Sequence, residues 1–141
     1  MKYETDEDVK KQDKAGSRMA EHFGMRWQPY HGEFAPADGF LVGSSLQAVV
    51  EVKCRPEKCR DYPDYTVDVA KIERLLALAK ALEITPFYLL RTPKELLYTD
   101  VLGADLIMWE RSQQTHTERG TTAEVLHYPW AAFRMLEVAG G

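Results

Sequence analysis

The clearest pattern in the chain is an apolar stripe. Val69, Ile72, Leu75, Leu76, Ala79, Leu82 and Ile84 recur at helical spacing, which predicts a long helix over residues 66–84 stopped by Thr85-Pro86. Before it, two short apolar runs, Phe40-Leu41-Val42 and Leu46 to Val52, flank Gly43-Ser44-Ser45 and predict a β-hairpin. After it, Phe87-Tyr88-Leu89-Leu90 is nearly continuous in apolar residues and predicts a buried central strand over 86–91. Strand, long helix and strand form a crossover unit, so the last strand is expected to run parallel to the second strand of the hairpin.

The flanks are less regular. A helix is expected from about Asp6 or Asp13 to Phe23, acidic first and basic later, as a helix dipole favours, and ended by Gly24. Met25 to Tyr30, with Glu33-Phe34, reads as an irregular first strand, with Pro29 marking an edge or a bulge. Pro56 to Tyr65 reads as a loop. Leu96 to Val101, Leu106 to Glu110 and Glu124 to Tyr128 read as strands, the last two joined by a polar loop over 112–122. Trp130 to Val138 reads as a short closing helix with Pro129 at its start.

Charge within the hairpin changes this picture. Asp38 opens its first strand, and Glu51 and Lys53 end its second, sharing one face by alternation. With Ser44-Ser45 as a two-residue loop, Asp38 stands opposite Glu51. With Gly43-Ser44 as a type II′ loop, it sits one pair diagonal. A three-residue loop sends Asp38 to the other face unless a bulge restores the phase. Two half-buried carboxylates repel unless a cation joins them, and oxygen ligands suit magnesium. A lysine beside them is placed to hold an attacking water, the chemistry of metal-assisted phosphodiester hydrolysis. The plainer alternative is a strand end carrying a charged surface patch.

Composition adds bounds. At 141 residues, the chain is long enough for one domain with its own core. A net charge of −4 argues against wrapping nucleic acid non-specifically but leaves room for a local basic groove. One segment offers such a groove: Lys53, Arg55, Lys58 and Arg60 leave the hairpin together, and Lys71 follows in the first turns of the long helix. Cys54 and Cys59 have no further Cys or nearby His, so they read as free thiols rather than a zinc site. No apolar run approaches ~18 residues and the N-terminal stretch is charged, so no membrane span or secretory signal is expected, and the cytoplasm, or a host cytoplasm, is the expected compartment.

The order of elements, with Pro36-Ala37-Asp38 on one strand and Glu51-Val52-Lys53 on the next, resembles the PD-(D/E)XK, or restriction-endonuclease-like, nuclease superfamily. Ala37, standing between proline and aspartate, departs from its nominal motif. The resemblance covers about residues 14–91. It implies an αβββαβ core with a mixed sheet flanked by helices, within a single α/β domain over 1–141; the C-terminal β-rich extension beyond residue 91 is read from the sequence alone and has no match in the resemblance. It also implies a magnesium-dependent DNA nuclease, with manganese as a substitute. Asp38, Glu51 and the main-chain carbonyl of Val52 would ligate the metal, and Lys53 would orient the water. Glu21 on the first helix matches an accessory acid and Lys71 a polar position facing the site; the basic run adds Arg55, Lys58 and Arg60, with Lys71, as candidate DNA-binding residues. A small stand-alone member resembles a Holliday-junction resolvase or a phage-type recombination or repair nuclease, often a homodimer. The alternative is a binding module for nucleic acid or protein that keeps the fold without catalysis.

Overall fold

The computed structural model describes residues 5–32, 35, 37–101, 110–116 and 121–138, with side chains described outside 110–123. Two helices and nine strands follow the order α1 (Asp6–His22), β1 (Arg26–Pro29), β2 (Gly39–Val42), β3 (Leu46–Cys54), β4 (Asp64–Asp68), α2 (Val69–Leu82), β5 (Thr85–Arg91), β6 (Glu95–Asp100), β7 (Glu110–His116), β8 (Thr121–Pro129) and β9 (Arg134–Val138). The main sheet is mixed, in the order β1-β2-β3-β5-β6-β9, and a smaller sheet is ordered β4-β8-β7. β3 and β5 pair in parallel from Ala48↔Thr85 to Cys54↔Arg91, as the crossover through α2 requires.

Alternation along β3 divides the core into two layers. Ala48, Val50 and Val52 face α1, where they meet Ala15, Met19, Ala20, Leu41 and Leu89. Val49 faces the other side, with Tyr88 and Leu90 of β5, and packs toward Ile72, Leu75 and Ala79 of α2 and Tyr65, Leu126 and Tyr128 of the smaller sheet. α1 opens with a capping box in which Thr5 Oγ1 accepts the Asp8 N–H and Asp8 Oδ2 accepts the Thr5 N–H, each at 3.1 Å. α2 ends with Glu83 in the left-handed region at φ 56°, closing its last turn before Thr85-Pro86.

Three expectations change. Residues 64–68 form strand β4 rather than loop and helix start, because they pair with β8 from Asp64↔Pro129 to Asp68↔Val125. Residues 112–116 and 121–122, expected as polar loop, are strand, since β7 pairs with β8 over its whole length. Residues 134–138 form β9 rather than a helix: β6 leaves an open sheet edge, and pairing from Glu95↔Val138 to Tyr98↔Arg134 fills it, overriding the local pattern. The strand expected over Leu106–Glu110 lies outside the described residues except for Glu110, as do Glu33, Phe34 and Pro36.

One indole ties α1 to the hairpin. A Cβ built on Gly16 of α1 would stand 2.3 Å from Trp27 Cε2, and one on Gly39 of β2 would stand 2.3 Å from Trp27 Cζ2. The ring is therefore clasped between two glycines, while its Nε1 donates to Asp13 Oδ1 at 3.1 Å. Helix propensity alone predicts that Gly16→Ala stabilises the protein by about 1 kcal/mol. The clash with the ring predicts the opposite: Gly16→Ala and Gly39→Ala should each cost about 1–3 kcal/mol. Urea unfolding should show a lower midpoint at unchanged slope for both variants, whereas an unchanged or higher midpoint for Gly16→Ala contradicts the clasp.

Candidate active site

The phase of β2 against β3 decides where Asp38 points. Gly39 faces Val50, Phe40 faces Val49 and Leu41 faces Ala48, but Val42 faces Leu46. Gln47 is thus an extra residue on β3, and the connection is the three-residue loop Gly43-Ser44-Ser45. A three-residue loop alone would invert the faces, and the bulge at Gln47 reverses that inversion. The Gln47 amide donates to Ser45 Oγ at 2.8 Å and the Gly43 N–H to Ser45 O at 3.0 Å, which fixes the irregular turn.

Beyond Gly39 and Val50, the next residues outward are Asp38 and Glu51. Asp38 is 8% exposed and held by its own backbone and carboxylate. Its N–H donates to Val50 O at 3.1 Å, and its carbonyl accepts the Tyr30 N–H at 2.9 Å. Its Oδ2 accepts the buried Val52 N–H at 2.8 Å. Lys53 Nζ lies 3.7 Å from Glu51 Oε1, and both side chains are largely buried. Burial opposes the Lys53 charge, but the Lys71 amine and the Glu51 and Asp38 carboxylates outweigh it and hold its pKa above the ordinary value. Glu51 is thus the nearer acid to the Lys53 ammonium, with Asp38 adding a weaker electrostatic pull.

α2 contributes Lys71 from its first turn. Burial, together with the adjoining Lys53, pulls its pKa down to about 8. Beneath them, Tyr88 on β5 pairs with Glu51 and shares a 3.0 Å hydroxyl hydrogen bond with Tyr65 of β4. Burial pushes both phenols up, so they form a neutral floor.

Other expected residues separate from this cluster. Glu21 is exposed near the C-terminal end of α1, beside Arg18, His22 and Glu137, and α1 packs on the opposite face of the sheet. It does not join Asp38 and Glu51, because the helix presents Ala15, Met19 and Ala20 to the sheet and sends its last turn toward Phe87 and Tyr98. The α1 acid brought against the β1–β2 region is Asp13, which accepts from Trp27 and from His31 Nε2 at 3.0 Å. Sequence reasoning missed it; Gly16, a small residue one turn on, was the available signal of close approach. Arg60 is also diverted, pairing with Glu95 Oε1 at 2.9 Å and lying 4.4 Å from the centre of the Trp130 ring. Arg55 and Lys58 are exposed on the segment leaving β3, and Arg55 Nη1 donates to Cys54 O at 3.2 Å. Cys54 and Cys59 are free thiols, and burial raises the pKa of each.

Among the described residues, no group of three or more His, Cys, Asp or Glu is placed to hold a metal ion. The donors that the resemblance nominates, Asp38, Glu51 and the Val52 carbonyl, would be two carboxylates and a main-chain carbonyl, with no sulfur. That set fits a hard cation such as Mg²⁺, which keeps several waters in its shell. An aspartate just before one strand, beside Glu-x-Lys on the neighbouring strand of a mixed α/β sheet, is the arrangement that the PD-(D/E)XK resemblance implies. The chain belongs to the family described as "Phage putative PDDEXK endonuclease", which matches residues 1–135. Among solved structures, the Holliday junction resolvase Hjc of the archaeal hyperthermophile Archaeoglobus fulgidus is similar at 15% identity and a TM-score of 0.49, over 94% of this chain and 95% of that one. No curated protein matches the chain.

The depressed Lys71 pKa has a consequence for stability. Its folded value of about 8 lies below the ordinary lysine value, so the unfolded chain binds more protons between the two. Stability should therefore rise with pH through that window, and the cost of the buried ammonium should be fully present below it. In metal-free buffer, Lys71→Met is expected to be more stable than the wild type by about 1 kcal/mol at pH 7, after allowing for solvent screening. The gap should shrink as pH rises past 8. A less stable variant, or a gap independent of pH, contradicts this electrostatic account.

Proposed function

We propose that the protein is a Mg²⁺-dependent DNA endonuclease, with Mn²⁺ able to substitute, that hydrolyses phosphodiester bonds in recombination, repair or phage DNA processing. The observation carrying this reading is that two largely buried carboxylates, Asp38 and Glu51, act on the single Lys53 ammonium beside them. A patch that merely decorates a strand end would lie in solvent. Family membership supports the same chemistry.

On this reading, Asp38, Glu51 and the Val52 carbonyl hold the ion. Once bound, a hard divalent ion polarises a phosphoryl oxygen and lowers the pKa of a water. The Val52 N–H fixes one Asp38 oxygen and so aims the other. Glu51 holds Lys53 Nζ, whose N–H groups then orient the attacking water and donate to the phosphate as negative charge grows on it. Lys71 adds a second donor from α2. The Tyr65–Tyr88 pair closes the floor against bulk water. Arg55 and Lys58 are exposed to meet the flanking backbone, whereas Arg60 serves the fold. Cutting two strands calls for two sites, and β9, a sheet edge with Met135 and Val138 exposed, offers a surface for a second copy. Among the described residues, no helix is long and apolar enough to cross a membrane.

Asp38→Asn and Glu51→Gln are each expected to lower cleavage of supercoiled or branched DNA in Mg²⁺ by about 10³-fold or more, while binding persists. Lys53→Ala should lose cleavage with metal affinity largely retained, and EDTA should silence the wild type. Full cleavage by purified Asp38→Asn or Glu51→Gln would sink the assignment. Salt-sensitive DNA binding without cleavage in any metal would favour a non-catalytic module instead.

A further inference from the structure

The sheet face opposite the catalytic cluster holds a cleft of about 260 Å³, lined by Lys14, Ala15 and Arg18 of α1, Arg91 to Pro93 and Glu95 to Leu96 at the β5–β6 turn, and Glu137 of β9. Its charges divide into two groups. Arg18 Nη2 lies 2.9 Å from Glu137 Oε2, and Glu95 Oε1 lies 2.9 Å from Arg60 Nε. Each acid in the cleft is therefore matched by an arginine. Lys14 and Arg91 remain, with no acid partner among the described residues. A cleft whose unmatched charge is two cations, in a chain of net charge −4, is suited to an anion.

The turn that lines the cleft is braced by its own hydrogen bonds. Thr92 N–H donates to Glu95 O at 3.0 Å, and Thr92 Oγ1 accepts the Lys94 and Glu95 N–H groups at 3.3 and 3.0 Å. Its position is the second observation. Arg91 pairs with Cys54, the residue after Lys53, and its carbonyl accepts the Arg55 N–H at 2.9 Å. The cleft therefore opens at the strand ends where the catalytic cluster lies, on the other face, with Arg55 at the junction.

We infer that Lys14 and Arg91 form a phosphate-binding site for DNA backbone flanking the cut, so that the substrate strand rounds the end of β3 and β5 from the Lys53 face to the α1 face. This rests on the nuclease reading above and adds to it a contact surface on the opposite face. Neither residue touches the reacting groups. They serve to position the substrate.

The test is equilibrium binding of fluorescein-labelled duplex DNA to the full chain in Ca²⁺, over a salt series. Each lost phosphate contact lowers the slope of log affinity against log salt by about 0.9. Lys14→Gln/Arg91→Gln should therefore lower it by about 2 and weaken binding at least tenfold at moderate salt. Lys14→Arg/Arg91→Lys should restore both. Cleavage rate at saturating DNA in Mg²⁺, and the melting temperature, should stay at wild-type values. A single methylphosphonate placed at the contacted position near the cut should weaken the wild type but not further weaken the glutamine variant. A glutamine variant with wild-type slope and affinity overturns the site, as does binding lost only through a lowered melting temperature. Binding does not require turnover, so a wild type that never cleaves sinks the nuclease reading, whereas an unchanged slope sinks this inference.

Discussion

One extra residue in a strand sets which face of the sheet Asp38 shares with β3. With a three-residue turn and no correction, Asp38, just before β2, would face α1, and Glu51 on β3 would face α2. Gln47 supplies the correction, and from there Leu41, Phe40 and Gly39 fall into step with Ala48, Val49 and Val50. The N–H groups of Tyr30 and Val52 and the Val50 carbonyl then hold Asp38 through its main chain and its Oδ2. The Val52 N–H thus holds one carboxylate oxygen against the main chain.

Around that fixed acid, the charges are balanced closely rather than neutralised outright. Glu51 sits between Lys53 at 3.7 Å and the phenol of Tyr88, which burial keeps protonated. Two amines share the space, and burial draws one of them down to about 8. Such an arrangement is costly for an apo protein, because each buried charge loses hydration that its neighbours only partly replace. Its cost is a reason to expect a ligand whose own charges complete the set. The rest of the fold isolates this cluster: α1 and its apolar face insulate one side of the sheet, while α2 and the smaller sheet wall the other.

The sequence revealed those parts of the fold whose periodicity and packing agree. The Val69–Leu82 helix and the parallel pairing of β3 with β5 were legible because one apolar stripe and one continuous apolar run admit few other arrangements. The hairpin was legible, but its phase was not, since Gly43-Ser44-Ser45 fits more than one turn and a bulge leaves no residue signature at Gln47. Strand β9 was unreadable locally; Leu136 and Glu137 take extended form because the β6 edge needs a partner. At the site, Glu51 and Lys53 could be placed on one face from alternation along β3, whereas the face of Asp38 waited on the bulge. Glu21 and Arg60 misled because their fates depend on contacts distant in sequence. α1 is anchored through Trp27 between Gly16 and Gly39, which turns Glu21 away, and Arg60 finds Glu95 and Trp130.

The central claim is that β2 and β3 deliver two carboxylates to one hard cation. It is tested most directly by an anomalous difference map from crystals of the protein grown or soaked with Mn²⁺. The account predicts a peak touching Asp38 and Glu51 carboxylate oxygens and the Val52 carbonyl at about 2.1 Å, with water filling the remaining positions. A map in which the ion avoids both carboxylates, or in which Asp38 and Glu51 point to opposite faces of the sheet, would contradict it.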